Sequence, residues 1–375
     1  MKAYLTAVLL RLILQVFYVF PIRRRKIVLT AFNGRLFSDS PKYIALEAVR
    51  RGGFEVVYAL NKNARAELPA GVRRVDYRSL RHFFDLMTAQ YVVVNSTGLS
   101  GLLPYRRKQT LINMWHGAIA LKNIDNSKDW DRFHHRVRAI MGGNTKVFLS
   151  SCTRTSETYG KAMSVPYERF LHIGLPRNDV LFREAPEVRE KVYRHFGIAA
   201  DKKLVLYAPT FRDGPMKSMN GYGLEKIDVQ RLLESLSARF GGEYVFLFKA
   251  HHDTLPESLG PECVNASEYA DIQELLYASD VLVTDYSSCV WEQLLLERPA
   301  FLYTPDLEAY GREHTFGLPV EVWPCPVAED NDALNDQIAA YDPEAARARA
   351  EAFFAYMGGR DTGTALERLF DEVIV

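Results

Sequence analysis

Five short clusters in this 375-residue chain carry side chains suited to catalysis or anion binding. His116 follows an apolar run in Asn113-Met114-Trp115-His116-Gly117 and precedes a glycine, so its ring points into a turn. The same pattern fits a structural histidine whose hydrogen bonds are satisfied. Lys249 and His251 alternate along Phe248-Lys249-Ala250-His251-His252, which puts a cation and an imidazole on one side of a strand end. Thr210 and Arg212 follow the apolar run that ends at Tyr207. A guanidinium there can grip a phosphate with two parallel bonds, or pair with Asp213 or another nearby carboxylate. Arg177 and Asn178 lie in Gly174-Leu175-Pro176-Arg177-Asn178-Asp179, a turn that serves equally well as a corner between domains. The fifth cluster is the longest. From Tyr269 to Pro299 the chain reads as helix, strand, polar turn and helix, with Asp271 and Glu274 at the spacing of a capping box. Val281 to Thr284 fits a strand buried on both faces, and Asp285, Tyr286, Ser287 and Ser288 then open the next helix. Helix starts at Asp271 and Ser288 would offer N–H groups and a positive dipole end to a phosphate-bearing ligand. Taken alone, such a turn only caps a helix.

These clusters need elements to hold them. Strand patterns begin at Lys26 and recur at 55–60, 91–95, 110–115 and 146–150, with helix-length segments between them. A second series follows at 203–208, 244–249, 281–284 and 300–303. Strands alternating with helices imply parallel, doubly wound sheets, in which ligands bind beyond the carboxyl ends of the strands. All five clusters fall at such ends. The expected class is α/β, with two Rossmann-like domains facing each other across a cleft. The boundaries read as 1–22 for an N-terminal helix, 23–175 and 176–345 for the two domains, and 346–375 for a C-terminal helix.

Residues 3–20 carry one charge, Arg11, and are followed by the basic run Arg23, Arg24, Arg25 and Lys26. Arg11, Gln15 and Tyr18 share one edge of a helical wheel, opposite Leu5, Leu9, Leu12, Val16 and Phe20. The run falls short of a spanning helix. It suits an amphipathic helix lying in the membrane interface, with the basic residues on anionic head groups, or a helix packed on its own protein. A net charge of +1 excludes a global electrostatic attraction to nucleic acid. Four dispersed cysteines form no CxxC pair and read as reduced thiols. No carboxylate cluster demands a metal, and none is expected.

In their order, the clusters resemble the CDP-glycerol glycerophosphotransferase family, which builds teichoic acids and related glycerol-phosphate capsule polymers. The resemblance runs from about Phe32 to Tyr310. It implies a two-domain fold of the glycosyltransferase-B (GT-B) type, acting at the cytoplasmic face of the membrane on CDP-glycerol and a lipid-linked saccharide, with no cofactor. It implies that His116 is the catalytic base and that His251 contacts the diphosphate. Thr210, Arg212, Ser287 and Ser288 would be further phosphate ligands, with Asp271 marking the helix start near the nucleotide and Lys249, Asp285, Arg177 and Asn178 also expected at the substrate. The chain departs from the family pattern at Ala270, where a serine is common, and at Lys249, which replaces a usual arginine and loses its planar fork. The short chain looks more like the primase members than the long polymerases. Alternatives are CDP-ribitol as donor, a nucleotide-sugar glycosyltransferase of the same fold, and a non-catalytic nucleotide-binding membrane protein.

Overall fold

The computed structural model describes residues 2–121, 123–124, 131–210, 212, 226–250, 259–260 and 262–375. Among them the strands form two wholly parallel sheets, of seven and six strands. The first contains β1 (Arg23–Thr30), β2 (Glu55–Leu60), β3 (Val72–Asp76), β4 (Ala89–Val94), β5 (Thr110–Asn113), β6 (Thr145–Leu149) and β7 (Phe170–Leu171). Its order is β3-β2-β1-β4-β5-β6-β7. The second contains β8 (Lys203–Tyr207), β9 (Tyr244–Phe248), β10 (Cys263–Asn265), β11 (Val281–Thr284), β12 (Ala300–Tyr303) and β13 (Val327–Ala328), in the order β10-β9-β8-β11-β12-β13.

The central strands are short apolar runs because both of their faces are covered, and β11 and β12 are buried along their whole length. In β1 the first three residues, all arginines, are exposed and the last five are buried. In each sheet the winding reverses once, between β1 and β4 and between β8 and β11. Chains leaving those neighbouring strands diverge, which opens a crevice at their carboxyl ends.

Two compact units contain these sheets. One comprises residues 1–118, 124–179 and 358–375, and the other 119–123 and 180–357. The chain therefore passes into the second unit after Asp179 rather than at 175. The C-terminal stretch, expected as one helix, is two: Pro343–Met357 and Ala365–Glu372. Gly358 breaks it at φ +67, where an added Cβ would lie 2.1 Å from Thr153 Oγ1. The second helix belongs to the first unit, and the Asp179 carboxylate accepts from the Ala365 and Leu366 amides at its start. Periodicity along the sequence registers neither this break nor the return of the chain to the first unit.

The N-terminal segment is an α-helix, Lys2–Leu14, continued by a 3₁₀ turn, Gln15–Val19. No helix among the described residues is long and apolar enough to cross a membrane. Of the polar edge, Arg11 and Tyr18 bond to the protein while Gln15 is exposed. Arg11 Nη1 donates to the carbonyls of Leu102 and Leu103 at 3.0 and 2.9 Å, and Tyr18 Oη donates to that of Pro104. Leu5, Leu9, Leu12, Ile13, Val16 and Val19 are exposed, Val19 to 79%. Leu10, Leu14 and Phe17, on the other side, pack on the core of the first sheet.

Candidate active site

At the reversal point of the first sheet the backbone is bent into uncommon conformations. Phe32 and Asn33 (φ 48 and 55), Asp39 (φ 57) and Trp115 (φ 55) all lie in the left-handed region. Each such residue costs roughly 1–2 kcal/mol, so its surroundings must enforce it. Asn95 Oδ1 accepts from Phe32 N at 2.8 Å, and Tyr77 Oη donates to Asn33 Oδ1 at 3.2 Å. Gly98 leaves the room that Asn33 needs, since a Cβ there would lie 1.9 Å from Asn33 Oδ1. Asn113 Oδ1 accepts from the Met114 and Trp115 amides, a side-chain turn that swings the chain out of β5 toward His116.

His116 is half-buried and stacks on Trp115, with ring centroids 4.1 Å apart; Phe32 lies at 5.4 Å. Its Nδ1 is 3.0 Å from the Asn95 carbonyl oxygen. A carbonyl can only accept, so Nδ1 carries the proton and the lone pair of the neutral ring is on Nε2. That tautomer is the one a general base uses when its far nitrogen takes a proton.

The Gly174–Asp179 turn supports this shelf. Gly174 (φ +84) fits against Asp361, whose Oδ1 accepts from Leu175 N and Asn178 Nδ2, both at 3.0 Å. Arg177 Nη1 donates to Asp39 Oδ2 at 2.7 Å and to the His116 carbonyl at 2.9 Å. Arg177 and Asn178, expected at the substrate, are therefore bonded into the protein's own frame.

In the second unit the reversal point gathers another set. Asp285, one residue past β11, accepts from the Thr210 and Tyr286 amides through Oδ1, at 2.7 and 2.6 Å. Its Oδ2 is 2.8 Å from Arg212 Nη1. Arg212 turns its fork to Asp306, Nε to Oδ2 at 2.8 Å and Nη2 to Oδ1 at 3.1 Å, with Tyr286 and Tyr310 against the guanidinium at 5.0 and 4.9 Å. The expected two-pronged phosphate grip of Arg212 is thus made on a carboxylate instead. Burial alone would weaken the Arg212 charge, but Asp285 and Asp306 overcome it and hold the cation firmly protonated. Burial would likewise raise Asp306, yet the bonds and charge of Arg212 keep it below the usual carboxylate range.

Thr210 Oγ1 is buried and has no hydrogen-bond partner among the described residues. Lys249 follows β9, and its Nζ donates to the Ser267 carbonyl at 2.8 Å. Burial lowers its pKa to about 8, with Asp271 partly offsetting the effect. Asp271 caps its helix by accepting from Gln273 N at 3.0 Å. Ser287 and Ser288 are half-exposed at the start of Cys289–Leu295, and Ser287 Oγ accepts from Cys289 N at 3.4 Å. His251 lies outside the described residues, as does Asp213. No group of three or more His, Cys, Asp or Glu among the described residues is arranged for a metal ion.

Sequence reasoning missed Asn95, Asp39 and Asp306. Asn95 and Asp306 both stand just past strands that the pattern located, so strand-end position was the available signal. Their partners lie far along the chain: His116 is 21 residues from Asn95, and Arg212 is 94 from Asp306.

The sequence profile described as CDP-Glycerol:Poly(glycerophosphate) glycerophosphotransferase matches residues 12–374. A teichoic acid poly(glycerol phosphate) polymerase of Staphylococcus epidermidis is 28% identical over 378 residues, covering 93% of this chain and 50% of that protein. A teichoic acid poly(ribitol-phosphate) polymerase of Bacillus spizizenii is 27% identical over 382 residues, covering 96% and 58%. The chain thus spans about half the length of these curated relatives. The solved structure of the wall teichoic acid polymerase TagF matches with a TM-score of 0.80 at 25% identity, over 99% of this chain and 95% of that one.

Proposed function

This chain belongs to the CDP-glycerol:poly(glycerophosphate) glycerophosphotransferase family, and on that footing we propose that it moves glycerol phosphate from CDP-glycerol to a hydroxyl of a lipid-linked saccharide. The two units act as a GT-B-type pair, the first presenting the acceptor and the second the donor. The acceptor oxygen attacks the β-phosphorus, the bond from that phosphorus to the bridging oxygen breaks, and CMP leaves with the bridging electrons. His116 Nε2 takes the hydroxyl proton. A positioned base of this kind contributes roughly 10²–10⁴-fold. Transfers of phosphoryl type otherwise depend on positioning and charge stabilisation. Lys249, Thr210, Ser287, Ser288 and His251 are the donor's phosphate ligands in this reading, with Asp271 and Asp285 ordering the loops around them. Arg212 acts as their brace.

One observation carries the assignment of the base: the bond from His116 Nδ1 to the Asn95 carbonyl, which fixes the lone pair on Nε2. The exposed leucines of the N-terminal segment, followed by Arg23, Arg24 and Arg25, suit a peripheral seat on the anionic cytoplasmic leaflet. A ribitol donor is the second reading, favoured by the near-equal likeness to the poly(ribitol-phosphate) polymerase. Incubating the chain with labelled CDP-glycerol or CDP-ribitol and a lipid-disaccharide analogue, with mass analysis of the product, separates the two. Product from CDP-glycerol together with free CMP is expected. Product from CDP-ribitol alone supports the second reading, and product from neither overturns both.

A further inference from the structure

Arg177 and Asp39 form an ion pair with almost no access to solvent, their side chains 4% and 5% exposed. Such a pair needs a reason, because taking both charges out of water can cost as much as their attraction returns. The pair is anchored at each end. Asp39 Oδ1 accepts from Ser40 N at 2.5 Å, and Arg177 N donates to Ser40 Oγ at 3.3 Å. Arg177 Nη1 lies between Asp39 Oδ2 and the carbonyl oxygen of His116. That carbonyl directly follows Trp115, whose left-handed conformation must be imposed from outside.

We propose that Asp39 and Arg177 are positioning residues for His116: a neutral clamp that fixes the base through its backbone carbonyl. The proposal rests on the reading of His116 as the base, and neither clamp residue touches substrate. The charge balance matters as much as the bond. A bare guanidinium here would oppose the imidazolium that forms when His116 takes a proton, and the Asp39 carboxylate cancels that field. Among the described residues, the side chains that bond the 116–118 loop from elements packed on it also include Tyr159 Oη, on the Gly117 carbonyl at 2.7 Å, and Cys152 Sγ, 3.6 Å from the Ala118 carbonyl. Burial pushes the Cys152 thiol up to about 11, so it adds no charge at neutral pH. Arg177, paired with Asp39, is thus the charged member of this set.

The test compares Asp39→Asn, Arg177→Gln and the double variant, following kcat, donor KM and the pH profile of kcat/KM, with Tm measured alongside. Each single variant should lower kcat about tenfold while donor KM stays within about twofold, the scale expected for a displaced base. The acid limb of kcat/KM should move in opposite directions, by about half a pH unit each. Asp39→Asn leaves a lone cation and shifts the limb down; Arg177→Gln leaves a lone carboxylate and shifts it up. The double variant should restore the limb and keep the low kcat. Limbs that move together or not at all, with activity merely tracking Tm, would overturn the clamp.

Should the single variants fail to fold, Arg177→Lys keeps the charge and loses the fork. Nitrogen-15 histidine spectra, with the His116 signal identified by its loss in His116→Gln, then read the tautomer directly. The proposal expects protonated Nδ1 in the wild type and a mixed tautomer in Arg177→Lys; identical spectra would refute it. These spectra need no turnover, so an inactive wild type would sink the functional reading and leave the clamp still decided.

Discussion

Lys249 titrates near working pH because its ammonium is buried with a carbonyl as its bonded partner and, among the described residues, Asp271 as the charge that favours it. Its folded pKa, about 8, lies below its ordinary value of 10.5. The buried charge therefore opposes folding at neutral pH, and that opposition fades as pH rises from about 8 toward 10.5. With Lys249 as the proposed phosphate ligand, donor binding has the reverse dependence, since an amine that loses its charge loses its charge-assisted bond to the phosphate. The KM for CDP-glycerol should climb several-fold as pH passes about 8 and stay flat in Lys249→Arg, as steady-state titrations would register. Arg212 makes a different prediction. Removing a buried cation from between two carboxylates costs roughly 3–5 kcal/mol, so Arg212→Ala should lower Tm by several degrees. Adding Asp306→Asn should recover part of that loss. A ligand residue with no structural duty would leave Tm unchanged on calorimetry.

Strands, turns and caps decide where these residues stand. The central strands were legible because strands buried on both faces must be short apolar runs, and four of the five motifs fell where such a run ended; the outer strands β3, β7, β10 and β13 carry no such run. The Asp271 cap was legible from its side-chain type and position. The partner of Arg212 was not legible for a physical reason: a guanidinium past a strand end suits a phosphate and a carboxylate equally, and the carboxylate it meets is Asp306 on another loop. The partner of Arg177 was hidden likewise, Asp39 being 138 residues away. The C-terminal break at Gly358 is set by contact with Thr153, which no local pattern records. The bend at the end of β1 depends on Gly98, although its own φ of −162 is ordinary extended backbone. Gly98→Ala should press on Asn33, lowering stability by roughly 1–3 kcal/mol and kcat with it. Denaturant unfolding that matched the wild type would show that the loop has slack.

For the whole molecule, the N-terminal segment packs Leu10, Leu14 and Phe17 on the core and bonds Arg11 and Tyr18 to the protein, while Leu5, Leu9 and Leu12 stay outward. Replacing Leu5, Leu9 and Leu12 with serine should therefore leave stability nearly untouched. Burying a leucine returns roughly 1.5 kcal/mol or more, and interfacial burial is partial. Partition onto anionic phosphatidylglycerol vesicles should fall at least about tenfold by sedimentation, with transfer to a soluble acceptor retained. Unchanged partition would remove the membrane seat from the account.

The base assignment is tested most directly by single-turnover release of CMP from saturating CDP-glycerol, in the presence of acceptor, by wild type and His116→Gln across pH. The account predicts a loss of at least about 100-fold in the variant and disappearance of the acid limb that the wild type shows. A His116→Gln protein that releases CMP at the wild-type rate, with the same limb, would contradict it.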